Sequence, residues 1–344
     1  MKRWRKGAAL ILSVLLALSL AACGQPQTGP GSGESVRPEG PPEEPQRDDS
    51  AVPARVGALK GPTAMGLVEL MDASGSGGEY EFTLAGSADE LTPALLKGDL
   101  DAVCVPANLA AVLYNKTEGG VVSLAVNTLG VLYIVEKGET IRSMEDLRGK
   151  TIVSAGKGAT PEYGLRYLLS ENGIDPDRDV TIDWKSEHSE CVAALASGAA
   201  GIAMLPQPFV TAAQGKIADL RTALDLTAEW DALDNGSAMV TGVIVARRDF
   251  AETRPEALSR FLEQYADSVA WVNENPAEAG ELIAEYGIVE SAAVAEKALP
   301  HCNIVCLTGQ EMFEKLSGYL QVLYSAAPEA VGGELPRDDF FYGA

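Results

Sequence analysis

The sequence predicts an α/β fold of two lobes, each a mainly parallel sheet flanked by helices, joined by a hinge of two chain crossings. Short apolar runs rich in β-branched residues alternate with amphipathic stretches of about ten residues, which is typical of βαβ units. The same alternation restarts near residue 150. The segment 54–344 has about 290 residues, which is enough for two ordinary domains.

The first part of the alternation runs to residue 137. Strands are predicted where short runs of Val, Ile, Leu and Ala occur, at 55–59, 80–85, 102–105, 121–126 and 131–135. Helices are predicted where apolar side chains recur every three or four residues, at 62–73, 90–97 and 109–114. Strands that alternate with helices in this way favour parallel neighbours in the sheet.

The second part begins with a helical turn at 144–147. Strands are predicted at 151–153, 180–184, 202–205 and 240–246, and helices at 162–172, at 191–197 and after Pro208. Gly173 is a natural stop for the first of these helices. From Pro255 to Tyr324 the chain is predicted to be mostly helical. We assign 54–137 plus 238–344 to the first lobe and 138–237 to the second.

The first 23 residues have the pattern of a bacterial export signal. Four cations precede an apolar run at 8–22, and Cys23 follows the small residues Ala21 and Ala22. The run has 15 residues, shorter than the roughly 20 that a spanning helix needs. We therefore interpret 1–22 as a cleaved signal peptide and Cys23 as a lipidation site. The alternative is an ordinary signal peptide in which the cysteine stands by chance.

The segment 24–53 contains seven Pro and five Gly and few large apolar side chains. Such a segment cannot bury enough apolar surface to offset the entropy of ordering it, so disorder is predicted. Together with the lipidated cysteine, 23–53 is expected to form a tether between the membrane and a folded body.

The charge balance argues against nucleic-acid partners. The chain has 27 Lys and Arg against 49 Asp and Glu, a formal net charge of −22. Binding to nucleic acid needs clustered cations, and no such cluster occurs after the leader. After the leader, no stretch reaches 18 apolar residues, so the body is not expected to cross a bilayer.

Candidate ligand-binding residues lie where the predicted strands lead into helices. In open parallel sheets, ligands bind outside the carboxyl ends of the strands, and small or polar residues there can present N–H groups and hydroxyls. The first-lobe candidates are Lys60, Gly61, Pro62, Thr63, Pro106, Asn108, Asn127, Thr128 and Thr241. The second-lobe candidates are Gly158, Ala159, Thr160, Glu187, His188 and Gln207. The alternative is that these residues are the caps and turns that any α/β fold requires.

Several of these loops resemble the nitrate, sulfonate and taurine class of solute-binding proteins of ABC transporters. The matching motifs are ALKGPTAMGL (58–67), VPANLAAVLYNK (105–116), GKGATPEY (156–163), EH (187–188), LPQPF (205–209) and CNIV (302–305). The resemblance extends from about residue 54 to residue 342. One departure is Gln207, where an acidic residue is often expected between the two prolines.

The resemblance implies a type II periplasmic-binding-protein fold whose lobes close over a solute held by the same loops. It implies an extracytoplasmic monomer that delivers its solute to a membrane permease, attached to the outer face of the bacterial cytoplasmic membrane only through its lipid. No cofactor is expected. The solute stays open among sulfonates, nitrate-like anions, pyrimidines and other small polar molecules.

Two other functions stay open from the residues alone. Enzymes of pyrimidine-precursor or chorismate chemistry share this fold, and Glu187 beside His188 could transfer protons. A structural surface lipoprotein would bind another protein instead. No nucleophile elbow, phosphate loop, HExxH or paired CxxC occurs, so we assign neither catalytic nor metal-binding residues. Cys104, Cys191, Cys302 and Cys306 are expected to be free and mostly buried.

Overall fold

The structure is a computed structural model that describes residues 53–75 and 77–344. The predicted signal peptide, the lipidation site at Cys23 and all but the last residue of the predicted tether lie outside these residues. Within them, no helix is long and apolar enough to cross a membrane.

Eleven strands are distributed over two sheets. In chain order they are β1 (Ala54–Leu59), β2 (Tyr80–Ala85), β3 (Ala102–Pro106), β4 (Val121–Thr128), β5 (Leu132–Lys137), β6 (Thr151–Ala155), β7 (Thr181–Lys185), β8 (Ile202–Pro206), β9 (Leu220–Asp225), β10 (Gly242–Arg247) and β11 (Ile304–Leu307). The first sheet has the order β11-β4-β10-β3-β1-β2, and the second has the order β7-β6-β8-β5-β9.

The two sheets share one topology. In the first sheet, β1 is parallel to β2 and β3, whereas β10 is antiparallel to β3 and β4. In the second sheet, β6 is parallel to β7 and β8, whereas β5 is antiparallel to β8 and β9. Four strands of each sheet therefore run in one direction, and their carboxyl ends meet at one edge. The predicted α/β class with two lobes is confirmed.

Thirteen helices connect and cover the strands of the described chain. They are α1 (Pro62–Met65), α2 (Val68–Ser74), α3 (Ala88–Lys97), α4 (Ala107–Lys116), α5 (Thr160–Glu171), α6 (His188–Ser197), α7 (Phe209–Lys216), α8 (Leu226–Asp231), α9 (Arg248–Thr253), α10 (Pro255–Glu274), α11 (Pro276–Glu285), α12 (Ala292–Ala298) and α13 (Gly309–Ala326). A 3₁₀ turn at Met144–Leu147 lies where the helical turn was predicted.

The core consists of three clusters that correspond to the layers of the fold. One cluster packs α1, α2 and α10 to α12 on a face of the first sheet, and another packs α6 and α7 on a face of the second. The third joins the remaining faces of both sheets through α3, α4, α5, α8 and α13. Trp230 and Tyr319 are fully buried in this shared cluster, with ring centroids 5.4 Å apart. Each sheet is thus covered on both faces, as a parallel-rich sheet requires.

Several elements differ from the sequence-based assignment. β9, α8 and α9 were not predicted, and β11 interrupts the stretch 255–324 that was expected to be helical. The predicted helix at 62–73 is two helices, because the backbone leaves helical hydrogen bonding around Gly66. A Cβ at Gly66 would lie 2.8 Å from the Tyr265 hydroxyl, so α10 approaches the chain closely there.

The strand assigned to the first lobe at 131–135 is part of the second sheet. β5 pairs with β8 and β9, so the chain has already crossed when it reaches Leu132. In the sequence, the two apolar strands follow each other with no helix between them. Adjacent strands of one sheet show the same pattern, so the sequence did not reveal that the chain crosses to the second sheet here. The second crossing lies between α8 and β10, because β10 pairs with β3 and β4.

Glu136 is a buried carboxylate at the end of β5. It is 2% exposed, accepts hydrogen bonds from the backbone N–H groups of Thr140 and Ile141 at 2.9 and 3.1 Å, and pairs with Arg221 at 2.7 Å. Burial alone would raise the pKa of Glu136, but the hydrogen bonds from Thr140, Ile141 and Arg221 outweigh it and hold the pKa below its ordinary value.

Glu136→Gln is expected to lower the free energy of unfolding at pH 7 by about 1.5–3 kcal/mol, because it removes charged hydrogen bonds from a buried site. A lowered native pKa stabilises the fold above the ordinary glutamate pKa, and this contribution is lost as the pH falls through the native value. Urea unfolding from pH 7 down to pH 3 should therefore show a shrinking difference from wild type. Glu145→Gln, at an exposed carboxylate paired with Arg148, is the control and should cost under about 1 kcal/mol. Equal losses in both variants would contradict this account.

Candidate functional site

The loops after β1 and β4 are joined by hydrogen bonds at the carboxyl edge of the first sheet. Asn127 Nδ2 donates to the carbonyl oxygen of Thr63 at 3.2 Å, and the Thr63 hydroxyl donates to the carbonyl of Leu59 at 2.9 Å. The Thr128 hydroxyl donates to Asn127 Oδ1 at 3.1 Å. Asn127 and Thr128 are fully buried. Three candidate residues thus form one network, in which Asn127 positions the loop after β1.

The start of β10 completes this network. The N–H group of Thr241 donates to the carbonyl of Thr128 at 3.0 Å, and the carbonyl of Thr241 accepts from Ala107 N–H at 3.3 Å. At Gly242 a Cβ would lie 2.5 Å from Asn127 Oδ1 and 2.7 Å from the Thr63 methyl group. Glycine is needed at this position because any side chain would push Asn127 and Thr63 apart.

Three helices that follow inner strands begin without a side-chain cap, as does α6 after the edge strand β7. The residues before α4, α5 and α7 are Pro106, Ala159 and Pro208, whose side chains cannot accept a hydrogen bond. After the edge strand β2, Ser87 and Glu90 form a complete capping box at the start of α3. These three residues therefore give no side-chain cap. The N–H groups of Ala107, Glu162 and Thr211 in the same first turns already donate to Thr241, Ala159 and Gln207, so an external acceptor has access only to the other first-turn N–H groups.

The two sheets meet through buried polar groups at these helix starts. The Thr160 hydroxyl of α5 donates to Asn108 Oδ1 of α4 at 3.3 Å, and Asn108 Nδ2 donates to the carbonyl of Ala330 at 3.3 Å. Elsewhere, the Tyr133 hydroxyl of β5 donates to the carbonyl of His301, which precedes β11, at 3.1 Å. The strand ends of both sheets therefore face each other in direct contact.

Gln207 uses its side chain within its own loop. Its Oε1 accepts hydrogen bonds from the N–H group and the hydroxyl of Thr211 at 3.2 and 2.9 Å. Its backbone N–H donates to the carbonyl of Val131 in the first crossing at 3.0 Å, and the bond to Pro208 is cis. Gln207 is 4% exposed. Its backbone hydrogen bond to Val131 links the loop after β8 to the first crossing.

His188 and Glu187 lie at the start of α6, after the edge strand β7. The His188 ring packs against Phe209 at a centroid distance of 5.2 Å, and its Nδ1 is buried without a hydrogen-bond partner among the described residues. Burial lowers the pKa of His188 to about 4, so the ring is neutral at pH 7 and supplies no positive charge to an anion. Glu187 is exposed, and its carboxylate accepts from the Ser189 hydroxyl at 3.1 Å.

The remaining candidates line the loops after β1 and β6. The Lys60 side chain is exposed, with Nζ 3.9 Å from the position of a Cβ at Gly287. Gly61 has a φ of 121° and precedes Pro62, the first residue of α1. In the loop after β6, Gly158 has a φ of 77° and its N–H donates to Glu162 at 2.7 Å. Lys60, Glu187 and His188 thus lie outside the network that joins Thr63, Asn127, Thr128 and Thr241.

Thr227, at the start of α8, was missed by sequence reasoning. Its hydroxyl is buried without a partner among the described residues, and a Cβ at Gly130 in the first crossing would lie 2.0 Å from it. The Thr227 side chain therefore lies beside the first crossing, at the point where the chain enters the second sheet. The alternation of Leu220 and Leu224 with polar residues could have revealed β9 and hence this strand end.

Thiols and metal ligands contribute little to this region. Cys104, Cys191, Cys302 and Cys306 are free, and all but the half-buried Cys306 are buried. Burial raises the pKa of the Cys104 and Cys302 thiols to about 12, so neither is a reactive thiolate at pH 7. Among the residues that the structure describes, no group of three or more His, Cys, Asp or Glu could hold a metal ion.

Comparison with known proteins extends these observations. The model of a family described as the periplasmic substrate-binding protein of phosphonate ABC transporters matches residues 67–297. No curated protein matches the chain.

Solved structures match most of its length. An ABC transporter protein from Parabacteroides distasonis is 23% identical with a TM-score of 0.72, and the match covers 84% of this chain and 98% of that one. The periplasmic aliphatic sulphonate binding protein SsuA from Escherichia coli is 17% identical with a TM-score of 0.67, over 84% and 91%. The periplasmic nitrate-binding protein NrtA from Synechocystis PCC 6803 is 15% identical with a TM-score of 0.55, over 81% and 83%. At these identities the likeness shows the fold.

Gly242→Ala is expected to lower the free energy of unfolding by about 1–3 kcal/mol, because the added Cβ overlaps Asn127 and Thr63 in a closely packed network. Gly201→Ala is the matched control, because a Cβ at Gly201 meets nothing within 4 Å. Denaturant unfolding of both variants measures the difference. Equal free energies of unfolding for the two variants would contradict this prediction, because the network would then accommodate the added Cβ with no loss of stability.

Proposed function

Because the chain belongs to the family of periplasmic substrate-binding proteins of phosphonate ABC transporters, we propose that it captures a small oxyanion between its two sheets and presents it to a membrane permease. The family description and two of the matched structures name phosphonate, sulphonate and nitrate. All three are compact anions that accept several hydrogen bonds.

The starts of the inner helices are the observation that carries this proposal. Pro106, Ala159 and Pro208 provide no side-chain cap to α4, α5 and α7. Some first-turn N–H groups have protein acceptors, as Ala107 and Thr211 do, and the proposal rests on the others. Each helix N-terminus attracts negative charge by about 0.3–1 kcal/mol, and by up to about 2 kcal/mol where it is partly buried. Several such termini from both lobes offset the repulsion that a net charge of −22 exerts on an anion.

The candidate residues divide into two proposed roles. Thr63, Asn108, Gly158, Ala159, Thr160 and Thr241 lie at the strand ends and are proposed to contact the solute. The side chains of Thr63, Asn108 and Thr160 and the N–H group of Gly158 now donate to protein acceptors, so each reaches the solute by exchanging that partner. Asn127, Thr128 and Gln207 hold the loops in place. Asn127 donates to Thr63 in the loop after β1 and accepts from the Thr128 hydroxyl. The Gln207 side chain accepts from Thr211 in its own loop, and its N–H group donates to Val131 in the first crossing. Lys60 contributes positive charge at the rim of the cleft.

Closure of the lobes is proposed to depend on contacts between residues of different sheets. The hydrogen bond between Thr160 and Asn108 joins α5 to α4, and a rotation that separates the sheets must break it. A solute that touches both lobes favours the closed state, because it gains contacts that the open state lacks. We place the hinge at the two crossings, around 129–131 and between α8 and β10.

Oxyanion binding can be tested by thermal unfolding with methylphosphonate, ethanesulfonate, taurine and nitrate. A solute at about 100 times its dissociation constant adds about 2.7 kcal/mol to the free energy of unfolding. Thr160→Val should weaken binding of that solute by about tenfold, since one lost hydrogen bond costs about 1–1.5 kcal/mol. Thr151→Val, at the exposed opposite end of β6, should bind as wild type. No stabilisation by any of the four anions, or equal affinity of the two variants, would contradict the proposal.

We also propose that Cys23 carries lipid and that 24–53 tethers the body outside the cytoplasm. The basic residues at positions 2–6, the apolar run and the small residues before Cys23 support this. One residue that carries two or more acyl chains binds a membrane stably, because each buried CH₂ contributes about 0.8 kcal/mol.

Cys23→Ala is expected to move the exported protein from the membrane fraction to the soluble extracytoplasmic fraction, because the acyl acceptor is lost. Fractionation followed by immunoblotting measures the shift, and mass spectrometry of the wild-type N-terminus identifies the lipid. Cys306→Ala, a substitution of the half-buried thiol in β11, is the control and should leave the distribution unchanged. Membrane retention of Cys23→Ala would refute lipid anchoring at this residue.

A further inference from the structure

A groove of about 1100 Å³ lies beside α5, away from the network at the strand ends. One wall is α5, the other is the last two turns of α13 with the segment that follows it, and the floor is β7. None of the candidate residues of the cleft lines it. The volume is at the upper end of the range for small-molecule pockets, so the groove has room for a larger guest.

The floor of the groove is an open strand edge. β7 is the last strand of its sheet and pairs with β6 on one side only. Thr181 N–H donates to the carbonyl of Lys150 at 2.9 Å, so Thr181 faces β6. Because backbone groups alternate in direction along a strand, the N–H and C=O groups of Ile182 and Trp184 point away from β6. Both of these residues line the groove.

The walls beside this edge carry apolar side chains among polar ones, and part of one wall is held in place. Tyr163 and Tyr167 project from α5, and Val322 and Ala326 line the groove from α13. The Tyr167 ring packs on Trp230 at 4.8 Å, and its hydroxyl accepts a hydrogen bond from Asn235 at 3.1 Å. The groove is therefore already formed in the absence of a bound ligand. Its floor, β7, is about 16 Å long at 3.3 Å per residue.

The charges around the groove favour a neutral or basic guest. Its lining includes four carboxylates and two cations, which are Glu162, Glu171, Asp177, Glu329, Lys157 and Arg166. One of the cations is already neutralised, because Arg166 pairs with Asp177 at 2.7 Å. The chain's own segment 24–53 is a poor guest, since its seven prolines lack N–H donors and its acids outnumber its cations.

We propose that this groove binds an extended peptide segment of another protein, with alternating basic and apolar residues, that adds to β7 as a further strand. The backbone groups of Ile182 and Trp184 pair with the peptide backbone, and apolar side chains of the peptide lie between α5 and α13. Basic side chains reach the carboxylates at the rim. The site is separate from the solute cleft and does not depend on oxyanion binding.

The test uses the full exported chain and a fluorescein-labelled, capped octapeptide of alternating Lys and Val. Fluorescence anisotropy should show saturable binding, and hydrogen exchange at the amides of Ile182 and Trp184 should slow by at least tenfold when the peptide is bound. The same peptide methylated on alternate backbone nitrogens loses its donors along one edge and should bind at least tenfold more weakly. Equal binding of the two peptides would show that only net charge attracts them, and would overturn the proposal.

Ala326→Trp fills the groove from an exposed helix position and should weaken peptide binding by at least tenfold. Ala193→Trp, at an exposed position on α6, is the matched control and should bind as wild type. Absence of saturable binding, or equal binding by both variants, refutes the site. Strictly competitive displacement of the peptide by methylphosphonate, together with loss of methylphosphonate binding in Ala326→Trp, would assign the groove to the solute and would also overturn the proposal. Solute binding to Ala326→Trp is measured in parallel, so failure of one function is distinguished from failure of the other.

Discussion

The short first crossing between the sheets is the constraint on which the rest of the structure depends. Only 129–131 separate the carboxyl end of β4 in the first sheet from the start of β5 in the second. The four steps from Thr128 to Leu132 span at most about 14 Å when fully extended. Because β5 is antiparallel to β8, it begins at the edge where β8 ends. The carboxyl ends of the two sheets must therefore lie close together.

That geometry explains why polar groups concentrate at the strand ends. Each inner strand delivers a helix start to the same narrow space, and unpaired N–H groups there need an acceptor. Within each lobe, side chains hydrogen-bond to neighbouring groups: Asn127 donates to the carbonyl of Thr63 in the first lobe, and Gln207 accepts from the N–H group of Thr211 in the second. Between the lobes, one threonine and one asparagine meet. The donors that remain for a solute belong mostly to the backbone, which is consistent with a site that binds an anion in a strongly acidic protein.

The sequence alone was sufficient for the class of fold, because hydrophobic periodicity reports βα alternation directly, whereas the position of the site stays a prediction. It was insufficient where local signals compete. β11 follows a 3₁₀ turn, and the four-residue spacing of Cys302 and Cys306 resembles a helix. β5 was assigned to the wrong sheet because strand order is a tertiary property. The roles of Asn127 and His188 depend on neighbours distant in sequence, so composition could nominate these residues but could not separate a loop anchor from a solute contact.

The solute cleft and the groove share one rigid element. α5 begins with Thr160, which contacts Asn108 across the cleft, and continues with Tyr163 and Tyr167 along the groove. The opposite wall, α13, packs on α4 and β4 of the first sheet as well as on α5. A rotation of the second lobe about the crossings moves α5 relative to α4 and therefore also relative to the end of α13. Under the proposed closure, the width of the groove changes with the angle between the lobes. A guest that fits one width then binds one state of the proposed cleft preferentially, which would link the two proposed sites energetically.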